Sequence, residues 1–445
     1  MLEKKEYKSA YIVTVDMGYG HQRAVYPLQD IAEGEIINAN HYAGIPKSDV
    51  RRWQSSRKIY EKISRMKHIP IIGDWIFDAM DYFQKIEPFY PERDLSKTTI
   101  QLRTIYKMIR SGWGHDLINR LNKNPLPFVT SFFTPAYFAE EHGYKGDIYL
   151  ICCDADVSRA WAPLDPKRSR IKYLVPNRRV KERLEQYGVK KENISITGFP
   201  LPKENIGSSL KILKKSLGER IVHLDPKGLY QKKYKNTIKE FIGDSYCSDC
   251  SPQHPLTITF AVGGAGAQRE IGYEIMKSLS KKIIKNKIKI NLVAGVKNDV
   301  YLYYQKAIKE LGLEHQENKN INIIYAEDKF SYFKNFNEIL LKTDILWTKP
   351  SELSFYAGLG LPIIMAPIIG SQEAFNRDWL MSIGSGVPQE DPRYTDEWLY
   401  DWLDSGWIAQ AAMEGFLDAP RNGAYHIAEI VLKGKVSEIE DMHLL

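Results

Sequence analysis

Three stretches of this 445-residue chain put chemically useful side chains on glycine turns. The first, YIVTVDMGYGHQRAVYPL, opens at Tyr11. Its short, β-branched start predicts a buried strand at Tyr11–Val15, and Gln22–Leu28 restarts with helical spacing. Between them Gly18 and Gly20 allow a tight turn whose backbone can approach a ligand. His21 then lies at the mouth of a strand-to-helix turn, where an imidazole suits general-base work near neutral pH or contact with an anion. A structural turn histidine is the plain alternative.

The second stretch, ITFAVGGAGAQREIGYEIMKSL, ends a strand and opens a helix through Gly263, Gly264 and Gly266. Backbone amides in such a turn can point at a phosphate. The lysine of a Walker loop is missing, so the spacing alone is weak. The third, TDILWTKPSELSFYAGLGLPIIMAPIIGSQEAFNRDWLMSIGSG, carries more. A strand ends in the turn Lys349–Pro350–Ser351, followed by Glu352, a short helix and another strand. Gln372, Glu373 and Asn376 then share the first turn of a helix, where carboxamide and carboxylate groups suit sugar hydroxyls. A helix cap by Ser371 accounts for part of that cluster only.

The elements that must position these residues alternate strand and helix in two blocks. The first block has candidate strands at Tyr11–Val15, Glu35–Asn38, Phe128–Ser131, Ile148–Cys152, Lys172–Val175 and Ile194–Ile196. The second has them at Leu256–Val262, Ile288–Ala294, Ile321–Tyr325, Ile345–Trp347 and Pro362–Met365. This alternation predicts two doubly wound α/β domains with parallel sheets, and ligands at the carboxyl ends of their strands. Two stretches interrupt it. Residues 50–120 are helical in character and include IPIIGDWIFDAMDYFQKIEPFY, which reads as a helical subdomain or as an interfacial membrane surface. Residues 204–252 are rich in lysine and read as a linker or insertion. From Asp391 onward a Trp-rich pattern predicts helices that must pack on something.

A net charge of +7 on 445 residues suits anionic ligands without choosing among them. No zinc-finger spacing or aromatic RNA-binding signature is present, which argues against nucleic acid. Four cysteines do not make a disulfide framework. Cys247 and Cys250 form CSDC, with His254 four residues on; one such pair is half a zinc site, and a loop without metal is the favoured reading. The charged start MLEKKEYKSA does not read as a signal peptide. No apolar run reaches the roughly 18 residues of a spanning helix, so a cytoplasmic protein is expected, with a peripheral place at the inner face of the membrane as the variant.

Taken in order, the motifs resemble a GT-B glycosyltransferase of the group that contains monogalactosyldiacylglycerol synthase and the lipid II N-acetylglucosaminyltransferase (glycosyltransferase family 28-like). GYGHQRA resembles the family's N-terminal glycine–histidine turn. CDADVSRAWAPLDPKRSRIKYLVPNRRVKERLEQYGVKKENISITGFPL resembles the passage that closes its first domain. TKP, GLPIIMAP and GSQEAFN resemble its donor-binding loop and helix. The resemblance covers most of the chain outside residues 50–120 and 204–252.

It implies two Rossmann-like domains facing a cleft, with a helical insertion and C-terminal crossover helices. The expected boundaries are 1–203 (acceptor side, insertion at about 50–120), a linker at 204–252, 253–388 (nucleotide-sugar side), and helices of 389–445 packing back on the first domain. It implies an inverting glycosyltransferase that moves a sugar from a nucleotide-sugar, a UDP-sugar first among the candidates, to an acceptor hydroxyl, a lipid-linked one included. His21 matches the general base, and Gly18 and Gly20 its acceptor-side turn. Asp154 and Asp156 lie in the acceptor-facing passage, where a carboxylate can instead merely cap a turn. Gly263, Gly264 and Gly266 match the diphosphate turn, Lys349, Ser351 and Glu352 the donor loop, and Gln372, Glu373 and Asn376 the donor-sugar helix. No cofactor and no obligatory metal are implied. The chain departs from the family where a ribose-binding glutamate belongs, having Phe355 and Tyr356 there; Glu352 is the candidate substitute. A UDP-sugar 2-epimerase and a non-catalytic sugar-nucleotide or lipid-binding protein are the alternatives.

Overall fold

The computed structural model describes residues 6–55, 86–243, 252, 254–261 and 266–434. The chain divides into two compact units: residues 1–200, 370–375 and 422–445, and residues 201–369 and 376–421. Each is a doubly wound, Rossmann-like parallel sheet, as the strand–helix alternation predicts.

The first sheet holds β1 (Tyr11–Thr14), β2 (Ile37–Asn38), β3 (Phe128–Thr130), β4 (Ile148–Ile151), β5 (Lys172–Val175) and β6 (Ile194–Ile196). They run in the order β2-β1-β3-β4-β5-β6, every pairing parallel. All four residues of β4 are buried, as in a sheet covered on both faces. Described parts of the 50–120 stretch are helical at residues 47–55, Ile100–Arg110 and His115–Leu121. Their apolar faces enter the core: Trp53 meets Trp113 edge to face at 4.8 Å, and Leu102, Tyr106 and Ile109 are buried beside them. Residues 56–85, which contain most of the proposed membrane-facing stretch, lie outside the described residues. Among the described residues no helix is long and apolar enough to cross a membrane.

The second sheet holds β7 (Leu256–Ala261), β8 (Ile288–Gly295), β9 (Ile321–Tyr325), β10 (Ile345–Thr348), β11 (Ile363–Met365) and β12 (Gly386–Pro388). Their order is β12-β11-β10-β7-β8-β9, again all parallel. The edge strand β12 escapes the sequence reading because Gly-Val-Pro has no β-branched run.

The lysine-rich segment is helical over Lys203–Ile206, Lys211–Leu224, Leu229–Lys233 and Lys235–Ile242, and it groups with the second unit. Leu213, Leu217, Ile221 and Leu224 bury one stripe of the longest of these helices, while its lysines take the solvated side. Arg220 on the same helix is fully buried and donates to the carbonyls of Thr343, Leu359 and Gly360. Burial pushes its guanidinium down to about 10, so it keeps its charge at neutral pH.

Of the segment after 389, the helices Thr395–Asp404 and Trp407–Asp418 group with the second unit. Trp398 packs on Trp347 of β10 at 5.3 Å and on Trp402 at 4.4 Å. The last described helix, Gly423–Lys433, groups with the first unit, where His426 bonds the Thr197 carbonyl at 3.0 Å.

Candidate functional site

In a doubly wound sheet, ligands bind beyond the carboxyl ends of the strands where the winding reverses. In the first unit that point lies between β1 and β3, which are neighbours although more than a hundred residues apart. The turn after β1 carries Gly18 at φ 101°, ψ 177°, a conformation that a side chain resists. A Cβ built at Gly18 would meet nothing within 4 Å, so strain there comes from the backbone alone. Gly18→Ala is expected to destabilise the first unit by about 1–3 kcal/mol, read as a lowered thermal midpoint. Gly20 sits inside the helix Tyr19–Val25 that follows.

His21, half-buried in the first turn of that helix, faces the end of β3. Its Nδ1 lies 2.8 Å from the Ser131 carbonyl oxygen, and the Ser131 hydroxyl donates back to the His21 carbonyl at 2.6 Å. A carbonyl can only accept, so Nδ1 carries the proton and Nε2 the lone pair. The imidazole is thereby held as the tautomer with its basic nitrogen at Nε2. Phe132 stands edge-on to the ring at 4.7 Å and Trp161 lies 6.2 Å away.

Trp161 is braced from behind. Tyr173 and Tyr137 donate to the carbonyls of Trp161 and Ala160 at 2.9 and 2.6 Å. Arg159 holds the carbonyls of Ser96, Ala162 and Pro163. Ser131, Phe132 and Trp161 are site neighbours that the sequence reading did not single out. Ser131 and Phe132 carry only the signal of standing at the end of a predicted strand, and Trp161 only that of the quoted CDADVSRAW passage.

The two acidic candidates separate. Asp156 is buried against the equally buried Arg183, with Oδ1 accepting from Nε at 3.0 Å and Oδ2 from Nη2 at 2.9 Å. Oδ1 also accepts from the Val157 amide at 2.8 Å. Both carboxylate oxygens are therefore engaged inside the first unit, where Asp156 holds the Arg183 guanidinium. Burial pushes its carboxyl above the ordinary range, with Arg183 pulling the other way. Asp154 is half-buried.

In the second unit the winding reverses between β7 and β10. Gly263 and Gly264, after β7, lie outside the described residues. Gly266 has φ 70°, and a Cβ there would fall 2.8 Å from a Val300 methyl, so space and backbone both require glycine. Gln268 donates to the Pro367 carbonyl at 2.7 Å, tying the turn after β7 to the loop after β11.

Lys349, Ser351 and Glu352, all half-buried, follow β10 directly. Glu352 opens the 3-10 helix Glu352–Leu359, whose other residues are buried. Phe355 packs on Trp379 at 4.9 Å and Tyr356 on Phe336 at 6.2 Å. Those two aromatics are core residues, which leaves Glu352 as the carboxylate of this turn.

The helix Ser371–Ser382 follows β11. Asn376 is fully buried and its Nδ2 reaches the Pro350 carbonyl at 3.4 Å. Through this contact Asn376 braces the Lys349–Ser351 turn. A Cβ built at Gly370 would lie 3.4 Å from Gln372 Oε1 and 3.7 Å from Glu373 Oε1, so these two polar ends share the space over Gly370.

A family model described as a domain of unknown function (DUF6938) matches residues 303–429. No curated protein matches the chain in sequence. Among solved structures, MurG of Acinetobacter baumannii is similar at 12% identity, with 96% of this chain and 99% of that one covered and a TM-score of 0.48. The UDP-GlcNAc 2-epimerase of Neisseria meningitidis, bound to UDP-GlcNAc, is similar at 12% identity, covering 96% and 100% of the two chains with a TM-score of 0.45. MnaA of S. aureus, in a co-structure with UDP, is 11% identical over 96% of each chain, with a TM-score of 0.44. Likeness at this level says nothing of substrate.

Proposed function

We propose that this chain is an inverting glycosyltransferase that moves a sugar from a nucleoside-diphosphate sugar, of the UDP class, to an acceptor hydroxyl. The observation that supports it most is the His21 ring, fixed by the Ser131 carbonyl so that Nε2 is the basic nitrogen at the winding reversal of the first sheet. In the proposed step Nε2 takes the hydroxyl proton as the acceptor oxygen bonds to the anomeric carbon. The bond from that carbon to the diphosphate oxygen breaks on the opposite face, and the diphosphate leaves with the electron pair.

The turns that follow β7, β10 and β11 supply the donor half. Lys349 and the amides around Gly263, Gly264 and Gly266 offset the charge that grows on the diphosphate, without an obligatory metal. Ser351 and Glu352 accept or donate to the ribose hydroxyls, and Gln372 and Glu373 to those of the sugar. Phe132 and Trp161 give the acceptor an apolar wall beside the base, which suits a sugar face or a lipid-linked alcohol.

A thermal-shift screen against UDP, GDP, ADP, TDP and CMP tests the donor half. A ligand that binds only the folded state stabilises it by about 2.7 kcal/mol at a hundred times its Kd. UDP is expected to raise the midpoint, and Lys349→Ala to reduce that rise. Silence of every nucleotide at millimolar concentration would overturn the donor assignment.

A further inference from the structure

A second cluster lies at the other end of the second sheet. His223 ends the helix Lys211–Leu224, His254 precedes β7 by two residues, and Asp344 immediately precedes β10. The donor-side residues follow the carboxyl ends of β7 and β10, whereas this cluster sits at their amino ends. With six residues in β7, the two locations are roughly 20 Å apart.

One potential ligand atom from each of the three residues lies within 4.8 Å of the other two. The two imidazoles meet edge to face with ring centroids 4.2 Å apart. His223 Nδ1 lies 2.8 Å from Asp344 Oδ1, and His254 Nδ1 lies 2.9 Å from the Pro255 carbonyl oxygen. Each Nδ1–H thus donates to an oxygen, and each Nε2 keeps its lone pair. Asp344 Oδ2 is fixed in turn by the Thr257 amide at 2.8 Å.

His223 Nε2 is buried and has no hydrogen-bond partner among the described residues, with only 2% of the side chain exposed. A desolvated acceptor without a donor is costly to keep. An imidazole whose Nδ1–H is held by a carboxylate while Nε2 offers a lone pair is the usual arrangement of a metal-bound histidine.

We infer that His223, His254 and Asp344 form a structural site for a divalent transition metal of the zinc class. The ring nitrogens of His223 and His254 bind the ion, and Asp344 supplies the negative charge and fixes the His223 ring. Imidazole ligands select zinc and its neighbours over magnesium or calcium. Zinc–ligand bonds of about 2.0–2.2 Å set tetrahedral ligand atoms roughly 3.3 Å apart, a spacing inside the 4.8 Å limit of this cluster. His254 is the most exposed of the three side chains at 22%. The ion fastens the helix Lys211–Leu224 to the start of β7, the His223–Asp344 hydrogen bond ties the same helix to the start of β10, and the ion takes no part in sugar transfer. Cys247 and Cys250 lie outside the described residues and are not counted among its ligands.

The test uses the full chain, purified with no added metal, with metal content by mass spectrometry and zinc titration against a chromophoric chelator. About one zinc per chain is expected, with a thermal midpoint that falls on chelation and returns with zinc alone. His254→Ala, at the exposed edge, is expected to fold and to bind zinc at least tenfold more weakly. His223→Gln is expected to do the same, with its fold checked by circular dichroism. Failure of the wild-type chain to compete for micromolar zinc would overturn the inference. So would zinc binding unchanged in both histidine variants, or binding lost only in Cys247→Ser and Cys250→Ser.

Discussion

His21→Gln is expected to lower turnover by roughly 10²–10⁴-fold while leaving nucleotide binding intact. Glutamine can still donate an amide hydrogen toward the Ser131 carbonyl, so the turn after β1 keeps a tether. What disappears is the lone pair on Nε2, and with it the group that takes the acceptor proton. Donor residues lie in other segments of the chain, so the UDP-induced thermal shift is expected to match that of the wild type. The two readouts together separate loss of a base from loss of fold. Equal turnover in His21→Gln would remove the histidine from the chemistry.

Asp156→Asn is expected to cost about 3–5 kcal/mol, the largest stability effect proposed for a single substitution in this chain. Arg183 is wholly buried, and the Asp156 carboxylate contacts its guanidinium through both oxygens. Asparagine leaves that cation in the interior with no counter-charge and with one acceptor oxygen instead of two. Against a typical domain stability of about 5–15 kcal/mol this is a large fraction. The thermal midpoint is expected to drop by roughly 6–20 °C. A variant that melts like the wild type but loses activity would return Asp156 to the acceptor site, where the sequence alone placed it.

Much of the fold is legible in the sequence for a simple reason. Short runs rich in apolar and β-branched residues mark strands, so β5, β6 and β9 stand where those runs predict, to the residue. The edge strand β12 has no such run. The helix Lys211–Leu224 hides behind its lysines, because the buried stripe of Leu213, Leu217, Ile221 and Leu224 is diluted by the charged face.

At the candidate site, Gly18 and His21 are visible because the turn is local. Ser131 and Phe132 reach His21 only because β1 and β3 pair, and Trp161 comes to it from the segment after β4, tertiary facts that no local pattern carries. The partners of Asp156 and Asn376 are hidden from the sequence for the same reason. Arg183 and the Pro350 carbonyl, which engage them, are 27 and 26 residues away.

The most direct test of the central claim is to incubate the full chain with UDP-sugars and a panel of acceptor alcohols, including diacylglycerol. Free UDP and the anomeric configuration of any glycoside are then followed by mass spectrometry and proton NMR. UDP released one for one with a glycoside of inverted configuration, and abolished by His21→Gln, is the predicted result. A donor recovered as its C2 epimer, or no turnover by a chain that UDP does not stabilise, would contradict it.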